Sequence, residues 1–108
     1  MRRYGGSTAI VSAVTLAVAA GLAPPARAQE ALLTKYGCLA CHRVDAKLVG
    51  PAYKEVAAKY RGQPDAAAAL YTKVRRGGAG VWGSVPMPPN PTVSDADLKA
   101  MVKFILSQ

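Results

Sequence analysis

Residues Cys38-Leu39-Ala40-Cys41-His42 bring two thiols and an imidazole within five positions, and they use both cysteines and the single histidine of a 108-residue chain. Whatever these three side chains hold must organise the domain. Two thiols three positions apart on a tight turn can each form a thioether to one edge of a porphyrin, and the adjoining imidazole then rises to the iron. C-x-x-C-H is the attachment pattern of one covalently bound c-type haem per chain. Three other uses fit less well. A thioredoxin-like redox pair needs a βαβ framework, and this chain shows no strand pattern. A structural zinc site needs four ligands. A Cys38–Cys41 disulfide closes too short a loop to stabilise much and leaves His42 unused.

The first 28 residues read as a segment to be removed. Met1-Arg2-Arg3 gives a positive start, Ala9 to Ala23 is an uncharged stretch of 15 residues, and Ala26-Arg27-Ala28 is a small-x-small cleavage site. Fifteen residues fall short of the ~20 needed to span a bilayer as a helix. The expectation is therefore a cleaved secretory signal over 1–28, a domain over 29–108, a periplasmic location and no stable membrane insertion. Without Arg2, Arg3 and Arg27 the remaining 80 residues carry 11 basic and 6 acidic side chains, a net +5. One small domain of that size is marginal on its own core, so a bound group is needed to complete it.

Apolar spacing predicts an all-α domain of short helices. One runs over Glu30 to Tyr36 and stops at Gly37. A second follows Pro51, with Tyr53, Val56, Ala57 and Tyr60 on one face. A third starts at Pro64-Asp65, runs to Arg76 and ends at Gly77-Gly78. The last is signalled by Ser94 and Asp97, which resemble a capping box with a shortened acid, and by Leu98, Met101, Val102 and Ile105 at helical spacing. Between them, Gly80 to Val93 holds Pro86, Pro88, Pro89 and Pro91, a stiff loop that cannot be helix or central strand.

The porphyrin fills four iron positions and His42 a fifth. With no second histidine, the sixth falls to methionine, lysine, water or an exogenous ligand. Met101 lies in the apolar stripe of the last helix, where packing is its natural role. Met87 lies between Pro86 and Pro88, and a stiff loop can hold a weak thioether donor with little ordering entropy to lose. Met87 is the better candidate.

Four segments together resemble the bacterial class I cytochromes c of the small c-551 type: Lys35 to His42, Val49 to Lys54, Gly80 to Asn90 with its Trp-Gly-x-x-Pro-Met-Pro-Pro-Asn run, and Phe104 to Ser107. The resemblance covers essentially all of 29–108. It implies a small class I cytochrome c fold wrapped around one haem, with thioethers from Cys38 and Cys41 and axial ligands His42 and Met87. It further implies that the Pro51 carbonyl fixes the His42 tautomer, that Asn90 steadies the Met87 sulfur, and that Trp82 donates to a propionate. Lys73 stands near a propionate where the family often has arginine or histidine, and Phe104 stands where a tryptophan is common.

An iron with both axial positions filled favours electron transfer over catalysis, and no acid–base constellation points to an enzyme. The expected function is a monomeric periplasmic electron carrier with no catalytic residues and no nucleic-acid partner. By resemblance its donor is a quinol-oxidising bc-type complex or another c cytochrome. Its acceptor is a nitrite reductase of denitrification, a terminal oxidase or a peroxidase of the respiratory chain. The other classes are a haem peroxidase or gas sensor with Met87 off the iron, and a docked subunit of a larger oxidoreductase. Net positive charge predicts docking through a basic haem-edge surface, with Lys35, Arg43, Lys47, Lys54, Lys59, Lys73, Arg75 and Arg76 as candidates. Exchange with an acidic partner then slows as ionic strength rises, which stopped-flow kinetics would read.

Overall fold

The computed structural model describes residues 5–6, 9–17 and 25–108; the rest of the expected 1–28 signal lies outside the described residues. Four helices occur in the order α1 (Pro25–Lys35), α2 (Tyr53–Tyr60), α3 (Ala66–Arg76) and α4 (Asp95–Leu106), with a 3₁₀ turn over Cys38–Ala40 between the first two. Among the described residues no strand forms; only the isolated bridges His42–Lys47 and Gly78–Met87 occur. The all-α expectation holds.

The helix α4 is the hub, packing against α1, α2 and α3. Its stripe lands where the spacing put it: Leu98, Met101, Val102 and Ile105 are all buried, together with Phe104. They meet Leu33 of α1, Tyr53 and Val56 of α2 and Leu70 of α3 in one core. Phe104 thus keeps its place in the core with a smaller ring than tryptophan.

One boundary and one cap detail differ from the pattern reading. The first helix begins at Pro25 rather than Glu30, because proline is tolerated in a first turn and the alanines after it are strong helix formers. The second concerns Ser94, whose hydroxyl accepts the Asp97 N–H at 3.2 Å as a cap should. The Asp97 carboxylate instead turns across to α1, taking the Tyr36 hydroxyl at 2.6 Å and lying 3.6 Å from the Lys35 ammonium. An aspartate is one methylene short of the glutamate that reaches back in a full capping box.

That cross-helix contact carries a pH dependence. The Tyr36 hydroxyl, and secondarily Lys35, hold the Asp97 carboxyl below its ordinary value. A carboxyl depressed in the folded state adds stability above about pH 4, and the contribution is lost as pH falls through the depressed value. Tyr36→Phe removes the leading cause. The acid-unfolding midpoint followed by circular dichroism should move to higher pH, with the variant and parent converging once Asp97 is protonated in both.

Candidate functional site

One wall of the site is set by a chain reversal. After α1, Gly37 takes the left-handed conformation (φ 74°), which folds the chain straight into the Cys38–Ala40 turn. The backbone N–H groups of Cys41 and His42 both bond to the Cys38 carbonyl, at 3.2 and 3.0 Å. Both cysteine side chains are half-buried. Burial is the main influence on Cys38 and pushes its thiol above the ordinary value.

The His42 ring is constrained on several sides. Its Nδ1 lies 2.8 Å from the Pro51 carbonyl oxygen. A carbonyl can only accept, so Nδ1 carries the proton and Nε2 is left as the basic nitrogen. The Tyr53 ring stacks on the imidazole with centroids 5.1 Å apart and planes 17° apart, and burial pushes the Tyr53 hydroxyl well above its ordinary value, so it stays neutral. Gly50 also covers the ring: a Cβ built there would fall 2.5 Å from Cε1, 2.9 Å from Nδ1 and 3.0 Å from Nε2. The turn that brings Gly50 back is closed by its N–H on the Cys41 carbonyl at 2.8 Å.

A second wall is the proline-rich loop. Met87 exchanges two backbone hydrogen bonds with Gly78, both 2.9 Å, which tie it to the end of α3. Asn90, expected beside the Met87 sulfur, directs its amide nitrogen to the Val74 carbonyl at 3.1 Å and the Pro88 carbonyl at 3.2 Å. It braces the loop backbone. Trp82 is 38 % exposed, and the Lys59 ammonium sits 5.5 Å above its ring, a cation–π contact that ties the loop to α2. Lys73 is half-buried.

The two walls enclose a crevice of about 1000 Å³, which Cys38, Cys41, His42, Pro51, Lys73, Trp82, Met87 and Asn90 all line. All the site residues named from sequence are therefore brought to one cavity. Its interior is furnished by Leu33, Val56, Leu70, Leu98 and Ile105, an apolar lining suited to a large flat hydrophobic group. Met101 also borders it, but is 2 % exposed within the α4 core stripe. Two thiols beside an imidazole, a thioether on the other wall and an apolar interior fit a covalently held haem.

Several functional residues escaped the sequence reading. Gly50 and Tyr53 act on His42 only through a turn whose closure no local pattern announces. Arg75, grouped among the docking cations, is instead committed inside the fold: its guanidinium bonds the carbonyls of Asn90, Pro91 and Val93 and pairs with Asp95. Lys35 and Lys54 face Asp97 and Asp45 as ion pairs. Lys47 and Lys73, which border the crevice, are better placed for partners.

A family model described as cytochrome c matches residues 26–108. The chain is 56% identical over 85 residues to cytochrome c-551 of Allochromatium vinosum, across 79% of this chain and 90% of that protein. It is 51% identical over 92 residues to cytochrome c-552 of Hydrogenobacter thermophilus, across 85% and 93%. The crystal structure of wild-type Nitrosomonas europaea cytochrome c552 superposes with a TM-score of 0.70 at 52% identity, covering 72% of this chain and 96% of that one.

Proposed function

We propose, for a chain that belongs to the cytochrome c family as a small class I member of the c-551 type, that it is a diffusible periplasmic carrier with a His42/Met87-ligated iron. It is an electron-transfer protein rather than an enzyme, and it holds one haem c through Cys38 and Cys41. The bound haem supplies an iron that alternates between Fe(III) and Fe(II). The residues determine the rest. Pro51 keeps the His42 proton on Nδ1, so that Nε2 is free to ligate. Met87, tied to Gly78, offers a soft sulfur that favours Fe(II) and raises the potential. The apolar lining would keep water from the group, and with His42 and Met87 both holding the iron no position would be left for a substrate.

Docking follows from what borders the crevice. Outside residues 9–17, the exposed large hydrophobics among the described residues are Leu48, Val49, Val81, Trp82 and Val85, all on the two loops beside it. With Lys47 and Lys73 nearby, this is an apolar centre with a basic rim, suited to a small transient contact with a redox protein. By resemblance to the c-551 group, the donor would be a bc-type complex or another c cytochrome, and the acceptor a nitrite reductase, a terminal oxidase or a cytochrome c peroxidase. Export is supported by the leader pattern. Cleavage after Ala28 would trim the first turn of α1, and the mass of the secreted protein checks it.

The observation that carries this reading is the convergence of both thiols, His42 and Met87 on one apolar crevice. The test is spectroscopic. The oxidised holoprotein should show a weak near-infrared sulfur-to-iron band, and Met87→Ala should abolish it with a fall in potential. Persistence of the band would move the ligand role to Met101.

A further inference from the structure

The ligand loop has an unusual tethering problem. Pro86, Pro88, Pro89 and Pro91 remove four backbone donors between positions 86 and 91. Of the donors left, the Met87 N–H is spent on Gly78 and the Asn90 N–H on the Arg75 carbonyl at 3.1 Å. Beyond Asn90 the segment can be held mainly through its carbonyls. A side chain with several donors and no acceptor is the matching partner; arginine and lysine both qualify, and arginine alone spreads its five donors over three nitrogens.

Arg75 occupies that place. From the last turn of α3 its Nη1 reaches the carbonyls of Asn90 at 2.9 Å, Val93 at 2.6 Å and Pro91 at 3.3 Å, and its Nη2 reaches Asp95 at 2.9 Å and the Tyr71 hydroxyl at 3.3 Å. The Tyr71 ring lies 5.5 Å from the guanidinium carbon. The side chain is only 23% exposed. One guanidinium therefore joins the end of α3, the loop that carries Met87, and the first turn of α4.

We propose that Arg75 is the positioning residue for the axial thioether, its Nη1 clasping the Asn90, Pro91 and Val93 carbonyls while Asp95 and Tyr71 anchor its Nη2, so that the segment carrying Met87 stays against the crevice. The inference rests on the reading of Met87 as the sixth ligand. Fork geometry matters more than charge. Nη1 serves the three loop carbonyls while Nη2 serves Asp95 and Tyr71; a lysine keeps the charge, but its single ammonium cannot serve both groups at once, whereas Asp95→Asn weakens the ion pair and leaves the carbonyl bonds.

The test uses the oxidised, haem-loaded protein with imidazole as an exogenous probe. Arg75→Met and Arg75→Lys should bind imidazole at least about tenfold more tightly than the parent, because loss of a charged hydrogen-bond clasp raises the open population of the loop by that order. Asp95→Asn should stay within about twofold. Amide hydrogen exchange should accelerate at Met87 and Asn90 in the arginine variants while Leu98, inside α4, keeps its protection. If Arg75→Met fails to fold, Arg75→Lys carries the same comparison. Unchanged imidazole affinity and exchange, with the sulfur-to-iron band intact, would overturn the clasp and leave Met87 as ligand. A parent without the band would overturn both, whatever the arginine variants do.

Discussion

Gly77→Ala should leave a protein that is strongly destabilised and has lost the ligation proposed for Met87. Two costs coincide at this residue. Its backbone sits at φ 66° and ψ −153°, a region essentially reserved for glycine, where a side chain costs ~1–3 kcal/mol. The added Cβ would also lie 2.2 Å from the Met87 carbonyl oxygen, 2.7 Å from the Pro88 carbonyl carbon and 2.8 Å from the Pro89 nitrogen. All three are backbone atoms, so no rotamer change relieves the overlap, and overpacking of this sort costs a further ~1–3 kcal/mol or more. Together, at ~2–6 kcal/mol, they remove roughly half the stability of a domain this small, ~4–12 kcal/mol at typical values per residue.

The chain can escape only by displacing residues 87–89, which carries Met87 away from Gly78. The near-infrared band should therefore vanish even where circular dichroism still reports helix. Gly62→Ala is the control for backbone strain alone: its φ is 78°, but nothing lies within 4 Å of the added carbon, so it should cost only ~1–2 kcal/mol. If the two variants melt within about 5 °C of each other and both keep the band, the close approach of Gly77 to the loop does not bear on function.

The contrast between these glycines shows where sequence reading succeeds and where it stops. Gly77 was legible as a helix stop, since a glycine after a helical stripe is a local signal. That its missing side chain also makes room for the ligand loop depends on residues ten positions away. Likewise, α4 could be read because Leu98, Met101, Val102 and Ile105 report their shared face through spacing alone, and all four are buried. That the cysteine pair, His42 and Met87 share one crevice could be anticipated because their chemistry is rare and the chain offers few rivals. Arg75 was not. Its charge suggested a docking surface, and only the folded loop reveals three carbonyls converging on it. Asp97 was half-read: its spacing from Ser94 announced a cap, but its carboxylate is used by Tyr36 from the opposite end of the domain.

Gly50→Ala isolates the remaining cost, a close contact without backbone strain. Gly50 has no positive φ, so alanine is acceptable to its backbone, and the whole effect falls on His42. The added methyl would lie 2.5 Å from Cε1, well inside van der Waals contact, and the ring must move. It is poorly placed to do so. The Nδ1 hydrogen bond to Pro51 and the stacked Tyr53 ring both resist rotation, and ligation would add a third restraint. Displacement should cost ~1–3 kcal/mol, which in a domain of this size lowers the melting temperature by roughly 5–20 °C. Because the ring turns away from its carbonyl partner, the His42 N–H bond weakens and the imidazole becomes a poorer donor to iron. A less electron-rich ligand favours Fe(II), so the reduction potential should rise as stability falls. Tyr53→Leu distinguishes this from general destabilisation, since it loosens the same neighbourhood while leaving the Pro51 hydrogen bond in place. A Gly50→Ala protein with an unshifted potential and an unshifted melting curve would mean that the ring has room the geometry denies it.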